Sequence, residues 1–188
     1  VWKLHTNYCA MKQLIILVLA IMTPELFAQD HHLEEYPKTQ RHGLHLTIAT
    51  MHTYIPQSTI TGKETLVLPS IGFDIDYYFK SRIGLGLHND LELLIFEVKE
   101  EEGMDIEREY PLVLTLDLLY KVNRNTVLFA GPGIEFEQAQ DYNLFRMGIE
   151  YIACINKTLT FSPIFSYDYR MGAYNTFSFG IGIGFELH

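Results

Sequence analysis

From about residue 43 to the end of the chain, apolar and polar positions alternate with period 2, the signature of β-strands. The closing stretch FSFGIGIGFELH shows it plainly. Phe177, Phe179, Ile181, Ile183, Phe185 and Leu187 share one face; Ser178, Gly180, Gly182, Gly184 and Glu186 share the other. The same alternation predicts eight strands, over residues 43–54, 67–80, 82–97, 109–121, 126–137, 143–155, 159–169 and 177–187. Such strands exceed the usual ~5–6 residues. They meet the ~9–11 residues that a tilted strand needs to cross hydrocarbon.

The two faces then decide which way the sheet is turned. One carries Leu, Ile, Phe and Tyr on nearly every strand, and the other carries Gly, Ser, Thr, Asp, Glu, Arg and His. Eight strands closed into a barrel leave an interior barely wide enough for side chains. Bulky residues from all eight would overfill it. The inverse arrangement fits: apolar residues face lipid, and small and charged residues fill a narrow lumen. Closure also removes the sheet edges, as lipid demands. The predicted fold is therefore all-β, an eight-stranded antiparallel up-and-down transmembrane barrel with a polar, side-chain-filled lumen.

The connections agree. Residues 80–82, 121–125 and 156–158 read as tight turns; 54–66, 98–108 and 138–142 are longer and polar, and 170–174 is shorter. Short turns at one end and longer loops at the other suit a barrel with its turns in the periplasm. Tyr77, Phe79, Tyr120 and Phe185 are expected near the periplasmic interface, and Tyr110, Phe136, Tyr167 and Tyr169 near the outer one. Lys80, Arg82, Lys121, Arg124 and Lys157 fall on the turns. The acidic run EVKEEEGMDIERE (97–109) falls outside.

The N-terminal region reads differently. The apolar run LIILVLAIM follows Lys12 and is followed by PELFAQ, the layout of a secretory signal. It is too short to span a bilayer as a helix. The expected organisation is residues 1–10 upstream of the start, a cleaved signal over 11–29, a polar periplasmic lead over 30–42, and the barrel over 43–188. With Cys9 removed, Cys154 is the one cysteine left, so no internal disulfide framework forms. It is expected to face inward near the periplasmic end. A net charge of −9 argues against a nucleic-acid partner.

Long alternating strands, inward glycines, a cleaved signal and a Phe-rich last strand resemble the small OmpA/OmpX-type outer-membrane barrels and the porin-like barrels of Gram-negative envelopes. The resemblance spans about residues 43–188. It implies an integral outer-membrane protein with lipid as its surroundings, and it brings no catalytic residues with it.

Candidate chemistry lies in the lumen. Asp74, Asp76, His88, Asp90, Glu92, Asp117, Glu135, Arg146, Glu150 and Asp168 all fall on the inward face. Charges this crowded must be paired. Arg146 stands out as the cation at mid-height, with Glu150 and Glu135 its expected partners. The arrangement reads as a structural plug. The excess of acids leaves a narrow cation path or divalent-ion site as an alternative, although no calcium-loop motif is present. A lipid-modifying enzyme built on His88 and its acidic neighbours is another alternative, but no nucleophile motif accompanies the histidine. No metal or cofactor is expected. The expected role is non-enzymatic and structural, with outer loops able to meet a surface partner. Gly131-Pro132-Gly133 is expected to mark a kink or bulge with the proline facing lipid.

Overall fold

The computed structural model describes residues 43–56, 65–99 and 105–187. The expected signal, the expected lead and the segment before them lie outside the described residues. Eleven strands are present among the described ones: β1 (Gly43–Ile55), β2 (Leu66–Tyr78), β3 (Ile83–Glu92), β4 (Ile95–Lys99), β5 (Asp105–Glu109), β6 (Leu112–Lys121), β7 (Thr126–Phe136), β8 (Tyr142–Tyr151), β9 (Ala153–Cys154), β10 (Leu159–Arg170) and β11 (Asn175–Leu187).

The main sheet runs β11-β1-β2-β3-β6-β7-β8-β10, and β10 pairs back to β11, which closes it. Every pairing is antiparallel. Short β9 continues β8 after a one-residue break at Ile152 and also pairs with β10. The barrel wall is thus eight strands. First and last strands pair in unbroken register, from Leu44 opposite Leu187 to Tyr54 opposite Phe177. The tight turns owe their form to asparagine. Asn123 Oδ1 accepts from the backbone N–H of Asn125 and Thr126, and Asn156 Oδ1 from that of Thr158 and Leu159.

Burial alternates along each wall strand, with polar residues inside. Thr47, Thr53, Ser70, Thr115, Ser162, Ser166 and Ser178 are buried, while Ile48, Leu116, Leu118 and Phe179 are more than half exposed. The glycines are inward because the lumen has no room: a Cβ on Gly148 would lie 2.2 Å from Cζ of Phe129. Pro132 faces outward. The pairs Thr115–Gly133 and Leu118–Ala130 flank a gap in the β6–β7 ladder at this point, yet the register is the same on both sides. The triplet interrupts the ladder without forming a bulge.

Two expectations need correction. The strand expected over 82–97 stops at Glu92, and β4 resumes at Ile95. Of residues 98–108, expected as a loop, 98–99 and 105–108 belong to the strand pair β4–β5 instead, in which Phe96 pairs with Arg108 and Glu97 with Glu107. One face of this hairpin is apolar. Phe96 and Val98 pack with Ile55, Leu68, Tyr142, Ala173 and Tyr174 into a small core of their own. That packing holds the segment in β-structure despite its charge.

Candidate functional site

The lumen is filled by ionisable side chains at three levels. Nearest the end that carries Gly43 and Leu187, His88 sits between two carboxylates. Its Nε2 is 2.9 Å from Asp76 Oδ1, and its Nδ1 is 2.9 Å from Asp117 Oδ2. Thr115 Oγ1 donates to the same Asp117 oxygen at 2.7 Å. On the far side of Asp76 stands His45, 3.9 Å from its Oδ2 and 3.0 Å from Thr160 Oγ1. The edge of Phe129 meets the His88 ring at 5.0 Å. Below this level Lys121 places its ammonium 3.3 Å from the centre of the Tyr78 ring.

At mid-height Arg146 donates through Nε and Nη2 to the two oxygens of Asp168, at 2.7 and 2.8 Å. Its Nη1 lies 2.6 Å from Asp90 Oδ2. This planar fork joins β8 to its neighbour β10 and, across the lumen, to β3. Between the first two levels lies a cavity of about 10 Å³ bordered by Asp74, Glu150, Ser166 and Met51. That is the size of a single water.

At the third level Glu135 is the hub. It accepts from Arg170 Nε, from Arg108 Nη2 at 2.5 Å and from the Tyr174 hydroxyl at 2.8 Å. Arg170 also approaches Glu92 at 3.5 Å and donates to Thr176 at 2.8 Å. Arg108 comes from the β4–β5 hairpin. It continues outward to Glu137 at 3.1 Å and the Gln140 carbonyl at 2.6 Å. Burial works against the Arg108 charge, but Glu135 outweighs it and the guanidinium is held above its ordinary value. Partial burial likewise opposes the Glu137 charge. The backbone N–H of Ala139 and the Arg108 guanidinium prevail, so this carboxyl is held below its ordinary 4.5.

No protein-family model matches the sequence, and no curated protein matches it. Solved structures do. Ail, the attachment invasion locus protein of Yersinia pestis, in complex with the heparin analogue sucrose octasulfate, matches with a TM-score of 0.51 at 12% identity, over 77% of this chain and 99% of that one. Neisserial surface protein A matches with a TM-score of 0.52 at 10% identity, over 77% of this chain and 96% of that one. The chain has the fold of a small eight-stranded outer-membrane β-barrel.

Within this barrel, nine of the ten residues expected in the lumen are buried and Asp74 is half-buried. The pairing differs from expectation. Arg146 binds Asp168 and Asp90, whereas Glu135 belongs to Arg170 and Arg108. Glu150 borders the cavity instead. The register is the reason: Asp168 stands directly opposite Arg146, whereas Glu135 stands opposite Tyr142, four residues along the ladder. Arg108 and Arg170 were not anticipated. Parity could have found Arg170, which continues the inward series Ile164, Ser166, Asp168. Cys154, expected inside, is exposed, because the break at Ile152 ends the alternation before it. Among the described residues no three His, Cys, Asp or Glu side chains converge as a metal site.

Proposed function

We propose that the chain is an exported, integral outer-membrane barrel whose role is non-enzymatic: a closed scaffold that holds an outer hairpin ready for a surface partner. The observation that carries this reading is the Glu135 hub. One buried carboxylate ties the barrel wall, through Arg170 and Tyr174, to the β4–β5 hairpin, through Arg108. A hairpin clamped in this way keeps a fixed shape above the membrane. Its outward face carries Glu97, Glu107 and Glu109. A polyanion such as the sucrose octasulfate bound by Ail suits that face poorly; a basic partner suits it better.

The geometry of His88 weighs against a lipid-modifying enzyme. Both its ring nitrogens are engaged by carboxylates, which leaves neither to take a proton from a nucleophile. A second reading, a narrow cation conductance, is favoured by the acid excess: eight lumen carboxylates face Arg146, Arg170, Arg108 and Lys121. Planar-bilayer recording of the refolded barrel separates the two. The closed scaffold predicts no conductance and no change in outer-membrane lipid by mass spectrometry. Cation-selective current would replace it with the pore. A lipid modification that His88→Ala abolishes would replace it with the enzyme.

A further inference from the structure

Among the described residues, Lys80, Arg82, Lys121, Arg124 and Lys157 lie at the short-turn end, and the structure divides them. Lys121 is buried, with its ammonium over the Tyr78 ring. Lys80, Arg82, Arg124 and Lys157 are exposed. They occupy the β2–β3, β6–β7 and β9–β10 turns, which follow one another around the barrel rim. Residues 79–82, 121–126 and 155–158 contain no acid. Directly above them on the lipid face stand Tyr77, Phe79 and Tyr120, each well exposed. The opposite end has the reverse sign, with Glu97, Glu107, Glu109 and Asp141 exposed.

We infer that the short-turn end is a docking surface for the anionic phosphate headgroups of the adjoining phospholipid leaflet. The arrangement selects the partner. Four cations spread over three turns at one level cannot converge on a single phosphate, but they match a plane of them. The aromatic girdle beside them fixes that plane at headgroup height. The turns themselves hold no acid that would neutralise the cations; Glu186, whose backbone N–H donates to the Thr158 carbonyl, is the described acid next to the last of them. Each cation near an anionic surface contributes about fivefold in affinity, and salt screens the effect.

The test is retention of lipid by the whole barrel. The refolded protein is released from vesicles of mixed phosphatidylglycerol and phosphatidylcholine, and the lipids that stay bound are read by native mass spectrometry. The expected result is enrichment of phosphatidylglycerol that falls with salt. Lys80→Gln, Arg82→Gln, Arg124→Gln and Lys157→Gln together should lower it at least about tenfold. The charge-keeping set Lys80→Arg, Arg82→Lys, Arg124→Lys and Lys157→Arg should retain it, and Glu97→Gln with Glu107→Gln should leave it unchanged. Heat-shifted gel mobility verifies that each variant has closed. Equal enrichment in the glutamine set and the parent overturns the inference. So does salt-sensitive sedimentation with isolated peptidoglycan in place of lipid enrichment, which would make the partner an anionic polymer.

Discussion

Arg146→Met offers the sharpest measure of what the lumen network is for. Methionine keeps much of the length and volume of arginine but none of its charge. The change removes a bidentate pair to Asp168 and a third contact to Asp90, all buried. Asp90 and Asp168 then lose this cation in a narrow lumen, and Asp168 is left with the Arg170 guanidinium at 4.0 Å. Breaking a buried ion pair from one side costs about 3–5 kcal/mol, mostly through the stranded partner. Arg146→Met should therefore lose about that much stability. Combining it with Asp90→Asn and Asp168→Asn removes the stranded charges and should recover most of the loss, because neutral replacements of a buried pair are often harmless. The assay must avoid tryptophan fluorescence, since the sole tryptophan is Trp2, which lies outside the described residues. Urea titration of the gel-mobility shift, with far-ultraviolet circular dichroism beside it, reports closure directly. A loss under about 1 kcal/mol for Arg146→Met would mean that the lumen behaves as screened solvent. A triple variant no better than the single one would mean that shape, not charge, holds the level together.

Other expectations follow from single contacts. Gly131→Ala would place its Cβ 2.0 Å from the Leu116 carbonyl oxygen, so the variant should close poorly and show a smaller heat-shifted fraction on gels. Leu116→Lys puts a charge at the middle of the lipid face of β6 and should cost about 2–4 kcal/mol in vesicle unfolding, whereas the inward Thr115→Val should cost less. Glu137 has a lowered folded-state pKa. Its contribution is therefore complete above its ordinary 4.5 and is lost as pH falls through the lower folded value. Proteolysis of the β4–β5 hairpin should accelerate in the parent only as pH falls below the ordinary 4.5, and Glu137→Gln should show the faster rate already at pH 7.

The barrel was legible because period 2 is a strong signal when one face meets lipid and the other a crowded lumen. A one-residue error would put Asp76 or Arg146 into hydrocarbon, so the register carries its own check. Beyond the membrane that constraint stops. The β4–β5 hairpin has Glu97 and Glu107 on one face and Phe96, Val98 and Ile106 with Arg108 on the other, too short an apolar pattern to outweigh its acidic run. Its Arg108 thus passed for a loop residue although it is fully buried. The inward set of charges could be read one residue at a time, but not who pairs with whom. Inter-strand register and cross-lumen distance decide that, and neither is written in local sequence.

The ion pairs also constrain how the barrel can enter a membrane. Arg146 on β8 reaches Asp90 on β3, and Arg170 on β10 reaches Glu92 on β3. These partners lie on strands that are not neighbours, so they meet only when the wall is curved nearly shut. A hairpin added alone would carry an unpaired charge into hydrocarbon, at a cost of about 2.5–3.5 kcal/mol or more per group. Strand-by-strand insertion accumulates such costs, whereas a sheet already rolled around its own charges avoids them. The cross-lumen pairs therefore act on the assembly route as well as on the finished barrel: they favour entry of a nearly closed cylinder over stepwise threading.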